Sequence, residues 1–241
     1  MRLLTRCLRY GWAVLLAGCS LAQSTSPRLP YDAWRLGFLA PPNMEVWLET
    51  ADVEDVRGHR FFGAMAGTVA INYTDDAAGW RQPVAWGKGR YLAGLALPKL
   101  IYVRWQSLVE PQTYRAVLDI PEAARQLMRS KAPSMRPPFK YEYQEALSIG
   151  LAPGGWIKAW VMSPTSTPVE VLCEKAEVEP RGPDEGHNNG RYAYAFDELE
   201  PAAQRYLKAH PIPYDSWKCP QGPLPAAMHD LAQPRVALPN A

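Results

Sequence analysis

Apolar and polar positions alternate with a period of two through the middle of the chain. Over residues 100–108, Ile101, Val103 and Trp105 share one parity while Tyr102, Arg104 and Gln106 share the other. That alternation predicts a strand with one face in a core and one toward solvent. Tyr114, Ala116 and Leu118 alternate with Arg115, Val117 and Asp119 in the next segment, and the spacer 109–112 between the two is hairpin-sized. Further strands are predicted over 45–56, 68–73 (Val69, Ile71, Tyr73), 146–151, 156–162 and 169–173. Both parities of 156–162 are apolar apart from Lys158, which suits a central strand. The parity shift after Cys173, where Ala176 and Val178 become the apolar positions, predicts a β-bulge near Cys173 and Glu174. Two short helices are expected. One follows Pro121, with Ala124, Leu127 and Met128 at helical spacing, and stops by Pro133; the other starts at Pro201 and ends at Pro211. Short strands, frequent turns and two short helices imply a mainly β chain, an antiparallel β-sandwich-like single domain.

The first residues break this pattern. Arg2, Arg6 and Arg9 precede an apolar run over 10–17 that is too short to cross a bilayer, and the segment has the make-up of a signal peptide. Leu16-Ala17-Gly18-Cys19 resembles the lipobox of bacterial lipoproteins. The resemblance implies a leader over 1–18 and diacylglyceryl lipidation of Cys19, with acyl chains anchoring the protein to a membrane. Ser20, rather than Asp, favours the inner leaflet of the outer membrane over the inner membrane, facing the periplasm. Residues 19–29 form a small, polar tether, 30–218 the β-rich domain, and 219–241 a disordered Pro-rich tail. The two short motifs Pro30-Tyr31-Asp32-Ala33-Trp34 and Pro213-Tyr214-Asp215-Ser216-Trp217 mark where the chain enters and leaves the folded body, or match by coincidence.

Processing changes the charge and cysteine counts. The whole chain has 26 Lys and Arg against 24 Asp and Glu, a net charge of +2. Losing Arg2, Arg6 and Arg9 from those 26 leaves 23 bases against 24 acids, and no basic face for nucleic acid. Of the four cysteines, Cys7 goes with the leader and Cys19 carries lipid. Cys173 and Cys219 remain, in a compartment where a disulfide persists; they either pair or stay as two separate thiols.

Motifs for chemistry are missing. The chain has no G-x-S-x-G, P-loop, G-x-G-x-x-G, H-E-x-x-H or C-x-x-C. No catalytic residue, metal ligand or cofactor is assigned. His59, His187, His210 and His229 are scattered. The acidic stretch Asp52, Glu54, Asp55 and the polar loop 184–190 are solvated turns, since neither has the spacing of a calcium loop. Trp80 and Trp86, with Arg81, Lys88 and Arg90, are the candidate binding surface, because exposed Trp with Arg has hot-spot composition. The competing expectation is that this loop folds back on its own domain.

Several stretches together resemble one family. They are LPYDAWRLGF at 29–38, VWLETADVEDVRG at 46–58, LPKLIYVRWQSLVEPQTYRAVLDIP at 97–121, SIGLAPGGWIKAW at 148–160, EVEPRGP at 177–183 and HPIPYDSW at 210–217. The chain resembles domain-of-unknown-function family twenty-nine thirty-one, uncharacterised proteobacterial lipoproteins. The resemblance implies an envelope lipoprotein and carries over no catalytic residue. The expectation is a non-catalytic binding module on the membrane, partnered by another envelope protein; one version is an immunity protein against an envelope-targeting toxin. The alternatives are an envelope hydrolase acting on glycan or lipid, and an outer-membrane assembly or structural factor.

Overall fold

The computed structural model describes residues 28–221. The expected leader, Cys19, most of the tether and residues 222–241 of the expected tail lie outside the described residues. In chain order the elements are β1 (Ala33–Leu39), β2 (Val46–Asp55), β3 (Arg60–Thr68), β4 (Lys88–Ala93), β5 (Pro98–Ser107), β6 (Gln112–Asp119), α1 (Glu122–Arg129), β7 (Lys131–Pro133), β8 (Tyr141–Tyr143), β9 (Ala146–Ala152), β10 (Trp156–Met162), β11 (Val169–Lys175), β12 (Glu177–Val178) and α2 (Pro201–Ala209).

Two five-stranded sheets face each other, ordered β11-β10-β9-β1-β4 and β12-β6-β5-β2-β3, with β7 and β8 as a separate hairpin. The chain is a mainly β, sandwich-like domain. Every named pairing is antiparallel except β1 with β9. The alternating residues explain the layers. Ile101, Val103 and Trp105 of β5 meet Trp34, Leu36 and Phe38 of β1 and Leu147, Ile149 and Leu151 of β9 in one buried core. Met128 of α1 belongs to the same core and Leu127 is buried with it. α2 instead contributes Ala203, Tyr206 and Leu207 to the packing around it.

The outer face of the first sheet is covered too. Residues 72–87 fold back across β1, β9 and β10. Trp80 packs edge-on to Trp160, with ring centroids 5.2 Å apart. A Cβ at Gly150 would sit 2.3 Å from the Trp80 ring, so this position of β9 admits only glycine.

The strand order gives the sandwich two distinct ends. At one end lie the chain entrance, α1, the β7–β8 hairpin and the 162–168 turn. There the Tyr31 hydroxyl donates to the Met128 carbonyl at 2.8 Å and its ring stands edge-on to Tyr143. At the other end lie the β1–β2 and β5–β6 connections, residues 180–198, and α2. Cys173 of β11 and Cys219 form a disulfide there, with Cα atoms 5.6 Å apart, tying the last described residues to the first sheet.

Three details differ from the periodicity reading. Residues 69–73 are not a strand; only Leu39 and Ala70 bridge there. The strand of that region is β3, an edge strand interrupted by Gly63 and Gly67 at positive φ, whose exposure hid its period. The bulge in β11 falls at Val171, because Ala159 faces Leu172 while Trp160 faces Glu170. The parity change after Cys173 is instead the chain leaving the first sheet and joining the second as β12.

Asp55 closes the β2–β3 turn although its side chain is fully buried. It accepts from the backbone N–H groups of Arg57, His59 and Ala96 at 2.7, 3.0 and 2.9 Å, and from the Arg57 guanidinium. Burial alone would raise its pKa, but these donors together outweigh it and hold the carboxyl below its ordinary value. Asp55→Ala strands three buried donors and is expected to cost about 3 kcal/mol, read as a lower urea midpoint. A carboxyl depressed in the folded state contributes fully above its unfolded value, near pH 4, and loses that contribution as pH falls through its folded value. Wild-type melts should therefore fall below about pH 4, and Asp55→Asn should flatten that dependence.

The disulfide gives a second expectation. Its sequence separation of 46 residues corresponds to about 4 kcal/mol of loop-closure entropy. Cys173→Ala with Cys219→Ala should lower the thermal midpoint in oxidising buffer to that of the reduced wild type.

Candidate functional site

The outward residues of β2 and β5 lay down the floor of a cleft at the end far from the chain entrance. β2 pairs with β5 in regular register except at one place: Leu48 faces Trp105 and Thr50 faces Arg104, so Glu49 is an extra residue. Such a bulge re-aims one side chain. Here it turns Glu49 onto the outer face beside Arg104 and Gln106, which the pleat of β5 already points outward.

Both Glu49 oxygens are occupied. One accepts from Gln106 Nε2 at 2.8 Å and from the Asp184 backbone N–H at 2.7 Å. The other accepts from Arg104. Arg104 also pairs with Glu185, and Glu185 with Arg181 at 2.9 Å. Burial would lower the Arg104 pKa, but Glu49 and Glu185 outweigh it and push it up. Glu179 is buried beyond these, and its neighbours Arg181 and Arg115 reverse the effect of burial and hold it below the usual carboxylate range.

These contacts hold down a contorted segment. Asp184, Glu185, Asn188 and Asn189 all have φ near +50°. Left-handed geometry costs an L-residue roughly 1–2 kcal/mol, least for Asp and Asn. The bonds from Glu49 to Asp184 and from Arg104 to Glu185 offset that cost where it is incurred. Beyond the turn, Gln106 accepts from the Ala193 N–H at 2.7 Å, so one β5 side chain registers residues 191–196 over the sheet.

The result is a cleft of about 920 Å³ between β2, β5 and residues 184–198. Trp47, Tyr192, Tyr194 and Phe196 supply aromatic walls. Trp47 meets Tyr194 edge to face at 5.7 Å. Tyr194 and Phe196 keep 38% and 41% of their surface exposed. The cleft offers flat apolar faces around a polar floor, a composition for binding rather than for exchanging protons.

The residues expected as a binding surface lie elsewhere and point two ways. Trp80 and Trp86 are half-buried on the outer face of the first sheet. Lys88 and Arg90 share the parity of Leu92 and turn toward β3, where Lys88 bonds Thr68 at 2.6 Å and Arg90 lies over Phe61. Arg81 bonds Asn72. The structure brings none of the five to the cleft. His59 lies beside Asp55, His187 bonds the Asp184 carbonyl, and His210 stacks on Tyr206. Among the described residues no three His, Cys, Asp or Glu side chains gather as a metal site. The cleft residues left traces in the sequence: Trp47 and Glu49 share a parity, and Arg191-Tyr192-Ala193-Tyr194-Ala195-Phe196 alternates aromatics within a stretch otherwise made of turns.

The model of the family described as "Protein of unknown function (DUF2931)" matches residues 21–215. No curated protein and no solved structure matches the chain.

Glu49→Ala removes the acceptor shared by Arg104, Gln106 and the Asp184 N–H. The expected loss is about 2–3 kcal/mol, because a buried charge and two donors lose a partner. Limited proteolysis should cut first within residues 183–195 of the variant while the two sheets stay intact.

Proposed function

The chain belongs to the DUF2931 family of proteins of unknown function, and we propose that it is a lipid-anchored, periplasm-facing module that captures another envelope protein in its distal cleft. The observation that carries this is the placement of the cleft. It opens at the end of the sandwich opposite the chain entrance, with its carboxylates already paired and its aromatics partly exposed. A module tethered through Cys19 would hold that end away from the membrane, where a partner can reach it.

The physical character of the cleft fits a protein partner. Trp and Tyr with a nearby Arg are the residues that dominate interface energies. The pre-formed Glu49–Arg104–Glu185 array supplies fixed charges that select among partners. A concrete version is an immunity protein, whose cleft grips a toxin loop before the toxin reaches its envelope target. The same aromatic walls suit stacking on a sugar ring, so an envelope glycan is the second reading.

Crosslinking in intact cells, followed by purification of the full chain from solubilised membranes, tests the proposal. Trp47→Ala with Tyr194→Ala should remove the captured partner, with about a hundredfold loss of affinity if each side chain contributes about 1.5 kcal/mol. An undiminished set of crosslinked proteins would overturn the cleft as the binding site. Fractionation tests the anchor: Cys19→Ser should leave the chain without acyl mass and shift it out of the outer-membrane fraction.

A further inference from the structure

The end of the sandwich where the chain enters has a surface of its own. The β7–β8 hairpin projects there, and its tip exposes Met135, Phe139 and Tyr141 at 62%, 65% and 67%. The tip is not loose. Met135 N–H donates to the Thr165 carbonyl at 2.7 Å, Ser134 N–H to the Lys140 carbonyl at 2.8 Å, and Phe139 N–H to the Arg136 carbonyl at 2.8 Å. Three large apolar side chains are thus held outward in fixed positions, with Phe139 itself at φ 54°.

Charge surrounds them with one sign. Residues 131–141 contain Lys131, Arg136 and Lys140 and no Asp or Glu. Among the described residues, Arg136 and Lys140 form no ion pair. Beside the tip is a pocket of about 520 Å³, lined by Arg81, Arg136, Trp86, Met135 and the hydroxyl residues Ser163 and Thr165, with no carboxylate among its described lining residues. The nearest acid is Glu142, which accepts from the Thr165 hydroxyl at 2.8 Å at the hairpin base. Apolar side chains ringed by Lys and Arg, next to a cationic pocket with an apolar floor, match the boundary between lipid phosphates and acyl chains.

We propose that this end of the sandwich rests on an anionic phospholipid surface, with Met135, Phe139 and Tyr141 entering the interface and Arg81, Arg136 and Lys140 meeting lipid phosphates. The surface rests on the anchored reading above for its location, and the chain path supports it. Tyr31 packs on Tyr143 at the base of this hairpin. The nine residue steps from Cys19 to Arg28 span at most about 30 Å, so a bilayer holding Cys19 lies within reach of the tip. Docking there would add a second membrane contact and orient the distal cleft outward.

The test is amide exchange over residues 134–141 of the full chain with Cys19→Ser, which removes the acyl anchor. Vesicles of phosphatidylethanolamine and phosphatidylglycerol should slow exchange there by about tenfold, and phosphatidylcholine vesicles by less. Met135→Ser with Phe139→Ser should abolish the slowing. Arg136→Gln with Lys140→Gln should reduce it on the anionic vesicles alone. Exchange unchanged by anionic vesicles overturns the proposal. So does equal slowing by inorganic phosphate, which would mark the pocket as a site for a soluble anion, and so does slowing that survives in the serine variant. The mass of wild-type chain extracted from membranes reports acylation of Cys19 independently: an unmodified Cys19 with a protected hairpin would remove the anchor and keep this surface.

Discussion

The first strand is buried on both faces, and that requirement organises the rest. Trp34, Leu36 and Phe38 face the opposing sheet, while Arg35 and Leu39, with Gly37 between them, face outward and are buried as well. Each large apolar side chain so buried contributes roughly 2 kcal/mol, so exposing either face would be expensive. The inner cover is the second sheet. The outer cover is residues 72–87, and it consumes the tryptophans there. Arg35 shows how closely that cover is built: its guanidinium donates to the carbonyls of Trp86 and Gly87 at 2.6 and 2.8 Å and lies beneath the Trp86 ring. An exposed hot spot and a structural lid are close in composition. The unfilled outer face of the first sheet decides between them.

The same strand gives the molecule its two ends. β1 pairs in parallel with β9, and a parallel pair cannot be joined by a tight turn. The chain therefore builds the whole second sheet, α1 and the β7–β8 hairpin before it returns as β9. That excursion leaves the hairpin at the entry end. After β11 the chain crosses sheets through Ala176 to β12, and everything that follows lies over the far end of the second sheet. The aromatic segment 191–196, α2 and the disulfide are all products of this late crossing. A cleft at one end and an apolar, basic tip at the other follow from one topological fact.

The sequence displays the parts of this plan in which one side of a strand is wet. β5, β6, β9 and β10 fall within two residues of the spans read from alternation, and both helices appear where their prolines and apolar spacing place them. What it hides is the strand with no wet side, β1, and the edge strands β3 and β4, whose glycines and charges carry no period. The cleft was hidden for a related reason. Glu49 looks like any acid on a half-exposed strand, and only the bulge against β5 turns it toward Arg104. Its partners Asp184 and Glu185 lie 135 and 136 positions away, in a stretch that reads as a solvated turn.

That ion array shows why the cleft has a definite shape. A buried Arg–Glu pair adds little net stability, because desolvating both charges cancels most of their attraction. An apolar pair at 49 and 104 would serve the sheet as well. It would not hold residues 184–189 in left-handed geometry, since only an acceptor for the Asp184 N–H and a cation for Glu185 favour that path over an ordinary turn. Release of this segment would carry Tyr192, Tyr194 and Phe196 away from Trp47, and the aromatic walls would no longer face one another. The charges therefore act on the form of the binding surface more than on the survival of the fold, and the aromatic residues depend on them for their position.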